Sequence, residues 1–453
     1  MKGFAKKSLC GILLTAGLLL VLAPVQAAEP AKADYSGSLR LSHDYRALGE
    51  YDDSDAYAYW YLRGRNLADK RVEIYTSGRL NSDLDGSGSS YADDPFISLE
   101  DTSLKDSVRV LQLYLELHDR KNTMALRAGR QYVDIADYIQ MDGLQAMLFE
   151  NQKLGGRVFL GQPVSYYSSI DGDLFGGASL VGKPWQGNRS RATYARYQDD
   201  SEGAADDHYF FDVRQQLMEE VRLRTYLSVM NEDVRMGGLD FYYMSLSEKV
   251  FDAVLGVRRW GEFDASTRAY SPLVQVLGDQ EPYTTAYGRF TTQLLPTFYL
   301  SPGAMVRYPD ESNYTNRGYE RYDLNFIYEP FDAFNASIAL EYWDVEDDDR
   351  FFGVSGDIRY RYRRIWEVSL GAAFLDYTYF QFSDFSLTAD GGSTIVGEDG
   401  TRVEVSPYAF TYFLRGRWNI NQHLALRISG EIEDNSDEDD LGYRIRTSFE
   451  VRL

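Results

Sequence analysis

The final eleven residues, Tyr443-Arg-Ile-Arg-Thr-Ser-Phe-Glu-Val-Arg-Leu453, alternate without a break. Tyr443, Ile445, Thr447, Phe449, Val451 and Leu453 fall on one face of an extended strand, and Arg444, Arg446, Ser448, Glu450 and Arg452 fall on the other. A soluble sandwich strand also alternates, but it seldom gathers three arginines and a glutamate on one face and then ends without a polar tail. A strand with lipid on one side and a wet lumen on the other needs this pattern.

The alternation repeats along the chain. Tyr35, Gly37, Leu39 and Leu41 oppose Ser36, Ser38, Arg40 and Ser42, and Val72, Ile74 and Thr76 oppose Arg71, Glu73, Tyr75 and Ser77. Val221 to Val229, Phe334 to Tyr342, Tyr408 to Trp418 and Leu424 to Ile432 carry it onward. Turn residues separate the segments at spacings that fit tilted spans of about 9 to 11 residues. Tight connections at Tyr328–Ala333 and Trp418–His423 interleave with long polar ones at 81–106, 261–282, 310–318 and 384–401. The expectation is one all-β domain over residues 28–453: a transmembrane, antiparallel, up-and-down barrel with an even strand number. Roughly 20 residues per strand with its connection gives about 16 to 22 strands, and most simply 18 to 20.

Lys2, Lys6 and Lys7, then the apolar run Ile12–Leu22, then Val25-Gln-Ala-Ala28 have the order of an export signal, with 1–27 as the cleaved leader. The single cysteine, Cys10, lies inside that run. The remaining chain therefore offers no disulfide, zinc-thiolate, iron-sulfur or covalent haem attachment, and no cofactor is expected. Strands begin almost directly after the leader, so no amino-terminal plug domain is expected.

Lys and Arg total 47 against 69 Asp and Glu, a formal charge of −22. Discounting the three leader lysines takes the rest to about −25, a balance that excludes nucleic acid as a partner. Aromatics make up 15% of residues, including 36 tyrosines, while the mean hydropathy is negative at −0.40. Aromatic girdles around a wet barrel account for both, and the same aromatics argue against disorder.

Within this acidic chain the inward strand positions are basic. Arg40, Arg71, Arg222, Arg224, Arg415, Arg417, Arg427, Arg444 and Arg446 occupy them, and Arg359-Tyr-Arg-Tyr-Arg363 adds Arg359, Arg361 and Arg363. Acidic residues crowd instead into connections such as 346–349 and 434–440. Either the arginines set a field that selects solutes, or they pair with inward Glu73, Glu341, Glu431 and Glu450 and only satisfy a wet wall. Asn81, Asp83 and Asp85 with Gly86 match the opening of an EF-hand calcium loop, but position twelve is Ala92, which favours a solvated acidic loop. None of the four histidines, His43, His118, His208 and His423, sits in a nucleophile motif. His43 follows Ser42, yet neighbouring strand residues point to opposite faces, so no enzyme is expected.

In this pattern the chain resembles bacterial outer-membrane porins over essentially its whole length. Leu126-Arg-Ala-Gly-Arg-Gln131 followed by Met141-Asp-Gly-Leu144 resembles the Gly-Arg-Gln plus Asp-Gly signature of porin-like and alginate-export-like barrels. By that resemblance inward arginines line an anion-selective path, which adds Arg127 and Arg130 as candidates. Most such proteins end in Phe or Trp, whereas this chain ends in Leu453. The resemblance implies an integral outer-membrane protein in contact with lipid, lipopolysaccharide and the outer-membrane assembly machinery. The leading function is a passive channel for small polar or anionic solutes. The alternatives are a barrel sheath around a multihaem cytochrome, as in porin-cytochrome conduits, and an outer-membrane hydrolase. An apolar outer face gives no contrast between lipid and protein contact, so oligomeric state is not legible.

Overall fold

A computed structural model describes residues 33–49, 51–84, 108–135, 138–148, 153–164, 172–199, 203–245, 251–262, 281–312, 316–382, 385–387, 393–395, 402–436 and 440–453. The proposed leader, 1–27, lies outside them. Twenty-two long strands, from Asp34–Leu48 to Gly442–Arg452, pair antiparallel with their chain neighbours. The first strand then pairs with the last, Ser38 with Arg452 through to Leu48 with Gly442, and the sheet closes on itself. A short additional segment, Arg402–Val405, pairs with the far end of Trp366–Phe382 and leads into Tyr408–Asn419. Closure leaves no open edge, which is the condition for a sheet to stand in hydrocarbon. The protein is thus a transmembrane β-barrel of the outer-membrane type.

Twenty-two is the upper end of the expected range. Two-residue turns such as Asn231-Glu232, Pro296-Thr297 and Asp332-Ala333 shorten the average repeat and make room for the extra strands. Both chain ends meet at one rim, where Leu453 N–H donates to the Gly37 carbonyl at 3.0 Å. All connections at that rim are short. The strand ends that flank the four long connections expected from sequence all stand at the other rim, the asymmetry of periplasmic turns and outer loops.

The outward face is apolar. Leu144, Leu160, Leu255, Leu370 and Leu414 are each more than half exposed, as lipid-facing side chains must be. Exposed aromatics ring both ends: Tyr328, Phe331, Tyr360, Trp366 and Trp418 near the chain-end rim, and Tyr308, Tyr322, Tyr342, Tyr408 and Tyr443 near the other. These are the interfacial girdles of a membrane barrel. The tightest packing lies on the lumen side of the strands from Met124 to Met230, where Val133, Ile135, Met141, Phe159, Phe175, Ala195, Tyr197 and Met230 form one buried cluster.

Candidate functional site

Beside the closing seam the inner wall holds a recess of about 740 Å³. Its lining includes Arg40, Arg79, Arg359, Arg415, Arg417 and Arg446, with Tyr57, Tyr59 and Phe413. Strand register explains how eight strands build it. Arg359 pairs with Ser369, Ser369 with Arg415, Arg415 with Ser429 and Ser429 with Arg446. One row across five strands therefore alternates arginine with serine. Strands about 4.8 Å apart put successive cations of the row about 10 Å apart, and strand tilt makes the row climb the wall.

The charges of this wall are only partly compensated. Asp44, 1% exposed, accepts from Arg444 Nε at 3.0 Å, Arg444 Nη2 at 2.7 Å and Arg446 Nη2 at 2.5 Å. Glu450 accepts from Arg427 at 2.7 Å and Arg452 at 2.8 Å, and Arg361 donates to Glu367 at 2.8 Å. By contrast Arg40, Arg359, Arg415 and Arg417 have no carboxylate partner among the described residues. Arg40 lies 4.8 Å from the Tyr59 ring centre, and Arg415 lies 4.4 Å from that of Phe413, so aromatic faces hold two of the four. Among the described residues Arg417 donates to the neutral Asn419 Oδ1, at 3.2 Å.

Other arginines of the alternating pattern lie elsewhere. Arg224 donates to Asp212 at 2.9 Å on the opposite wall, Arg127 donates to Glu116 at 2.6 Å, and Arg222 stands next to the chain-end rim. Arg71 and Arg363 are in turns at that rim rather than on the wall. A helical turn, Leu67–Lys70, precedes Arg71, and Arg363 takes a left-handed φ of 45°. The strand period therefore does not extend to either of them. Of the inward glutamates, Glu73 accepts from Arg63 at 2.6 Å and Glu341 pairs with Arg321 at 2.9 Å. Arg79, which also lines the recess, is missing from the sequence reading, although it continues the odd-numbered series Glu73, Tyr75, Ser77.

Arg130 corrects an expectation. Its strand places it with Leu126 and Ala128 on the outward face, paired in register with Asp142. It donates to Asp142 through Nε at 2.8 Å and Nη2 at 2.6 Å. Its position makes it a wall residue, away from the recess. The calcium reading also shifts. Asn81 and Asp83 belong to the strand Val72–Asp83 rather than to a loop, Asp85 lies outside the described residues, and no group of three metal-ligating side chains occurs among the described residues.

No protein-family model and no curated protein matches this chain. Solved structures similar to it include three outer-membrane proteins of Pseudomonas aeruginosa. OccK2 (OpdF) in complex with glucuronate aligns with a TM-score of 0.45 at 11% identity, covering 93% of this chain and 98% of its own. OpdK with vanillate gives 0.43 at 12%, with 93% and 98% covered, and OccK3 (OpdO) gives 0.42 at 11%, with 93% and 96% covered.

Proposed function

We propose that this outer-membrane barrel is a passive channel for small anionic solutes, and that the recess beside the seam is where it selects them. The observation that carries this reading is the group of four arginines, Arg40, Arg359, Arg415 and Arg417, facing one recess without carboxylate partners among the described residues. Guanidinium groups keep their charge at any physiological pH. A wall that only needed satisfying would pair them, as the neighbouring Arg427, Arg444 and Arg446 are paired. Serine hydroxyls between the cations supply neutral donors for the remaining oxygens of a passing anion.

A sheath around a second protein would bury those cations against whatever it enclosed and would need acids there to meet them. Hydrolysis fits the geometry less well. His208 approaches Ser228 at 2.7 Å, but the two are 1% and 0% exposed, so no substrate reaches the hydroxyl.

Planar-bilayer recording of the purified barrel in a salt gradient tests the reading. The protein alone should conduct and favour the anion, and the combined change Arg40→Gln, Arg359→Gln, Arg415→Gln, Arg417→Gln should move the reversal potential toward zero. An unchanged reversal potential rules out selection at this recess, and a preparation that holds a haem protein in equal amount favours the sheath.

A further inference from the structure

At the chain-end rim the strand Arg350–Tyr362 turns into Trp366–Phe382 through Arg363, Arg364 and Ile365. The Ile365 N–H donates to the Tyr362 carbonyl at 2.8 Å and closes the turn. Arg363 and Arg364 both take left-handed backbone, with φ of 45° and 62°. Glycine and asparagine enter that region at least cost, and a side chain as large as arginine seldom does. The turn itself therefore calls for arginine at neither position. The adjoining strand nevertheless fixes it: Asn419 Nδ2 donates to the Arg364 carbonyl at 2.7 Å, and the Asn419 N–H donates to the Ile365 carbonyl at 2.6 Å.

Both arginines are exposed, and neither has a carboxylate partner among the described residues. Two nearby acids are engaged elsewhere, Glu367 by Arg361 at 2.8 Å and Glu329 by Asn335 at 2.7 Å. Position sets Arg363 apart from the arginines of the recess. Its guanidinium lies 5.4 Å from the Tyr362 ring centre, and Tyr362 stands in register with Trp366, as Tyr360 does with Val368, on the outward face. That charge is on the lipid side of the rim. Tyr360 and Tyr362 pack on Trp366 with ring centres 5.5 and 5.7 Å away, and Trp418 pairs with Trp366 in register. Tryptophan and tyrosine gathered in this way mark the level of the lipid headgroups.

We propose that the Arg363-Arg364 turn binds the phosphate of an anionic phospholipid in the leaflet on the short-turn side. A guanidinium fork matches phosphate oxygens two at a time. The Tyr362 face holds the Arg363 fork toward the headgroups, and the rings of Tyr360, Trp366 and Trp418 cover the glycerol and the first methylenes of the chains. Left-handed backbone is retained at positions that serve a ligand, and a turn that only met water would gain nothing from arginine there. The site lies outside the lumen, so it stands or falls independently of the channel reading.

Lipid quenching tests this in the full chain in phosphatidylcholine vesicles. Cys10→Ser clears the single native cysteine. A fluorophore at Ile420→Cys, in the adjoining turn, reads the lipid beside the site. A fluorophore at Phe331→Cys is the reference, in a turn that carries Glu329 and Asp332 and no cation. The quencher is a trace of phosphatidylglycerol or phosphatidylcholine with a nitroxide close to the headgroup. At Ile420 the glycerol lipid should associate about fivefold or more above the choline lipid, and at Phe331 the two should quench equally. Arg363→Gln with Arg364→Gln should abolish the preference at Ile420 and leave Phe331 as it was. Arg363→Lys with Arg364→Lys keeps the charge without the fork and should keep part of the preference, which guards against a folding defect. Equal quenching by both lipids at Ile420 in the parent overturns the proposal, as does a preference that survives the glutamine pair or appears equally at Phe331.

Discussion

Two seams of the same wall solve the problem of closure in opposite ways. Where the chain ends meet, eleven residues of each strand pair in register. The backbone alone makes that join, and its side chains are left for the lumen: Asp44 takes two arginines, Arg40 takes none, and the recess opens beside them. Between 108–118 and 124–134 the ladder gives out after six residues, and arginine and glutamine side chains are consumed in holding the wall. On the proposed reading, arginine is available for solutes at the closing seam because the main chain does the structural work there.

Substituting one arginine at each seam exposes this difference most strongly. Arg130→Ala leaves Asp142 without its bidentate partner on the lipid side and removes one of the donors to the Val110 carbonyl. The expected loss is about 3 to 5 kcal/mol, the cost of breaking an ion pair that water does not screen. Arg446→Ala leaves Asp44 still held by Arg444 in a complete ladder and should cost about 1 kcal/mol or less. Urea unfolding of the two variants in lipid vesicles measures both. Equal losses would erase the distinction between the seams.

The period of two in the sequence makes the closing seam readable and the other seam misleading. At Tyr443–Leu453 each side chain does what its parity says, and the barrel, its lipid face and the basic inner wall follow from counting. At Arg130 parity also gives the correct face, outward. The porin resemblance sends it inward because the signature says only that an arginine is required. The reason it is required is a missing ladder, and a gap between strands has no letter in the sequence. Arg71 and Arg363 fail differently, since the strand period ends at turns with left-handed residues, Asn66, Ala68, Asp69 and Lys70 before Arg71, and Arg363-Arg364 themselves. Pairing between side chains has no letter in the sequence for the same reason as the gap. Asp44 meets Arg444 across 400 positions, a distance that only closure of the barrel removes.

Glycine gives a second, smaller contrast. Gly129→Ala must place a Cβ against the Leu113 carbonyl oxygen at a φ of 122°, a conformation that only glycine adopts at low cost. Near the closing seam a Cβ at Gly430 meets nothing within 4 Å. Gly129→Ala should lose about 1 to 3 kcal/mol, and Gly430→Ala should stay within about 0.5 kcal/mol of the parent. Loss of the same size at both positions would mean that the backbone at Gly129 does not require glycine.

The smallest effect is at the rim, where each region ends in a capped turn. Asp119 closes the turn of the short seam, its Oδ1 accepting the Met124 N–H at 2.9 Å and the Thr123 N–H at 2.6 Å. Asn421 does the same near the closing seam, accepting the His423 N–H at 2.8 Å and the Leu424 N–H at 2.9 Å. The hydrogen bond from Met124 N–H, with those from Thr123 and Lys121, holds the Asp119 carboxyl below its ordinary value. Its cap is therefore complete above the usual aspartate value of about 3.9 and is lost as pH falls through the lower folded value. Asn421 carries no proton to gain. The Met124 amide shift in a reconstituted sample should titrate with a midpoint below about 3.9, should go flat in Asp119→Asn, and should have no counterpart at Leu424. A Met124 midpoint at or above the ordinary value would mean that the carboxylate does not cap this turn, and the short seam would then lack a charged pin at its only tightly paired end.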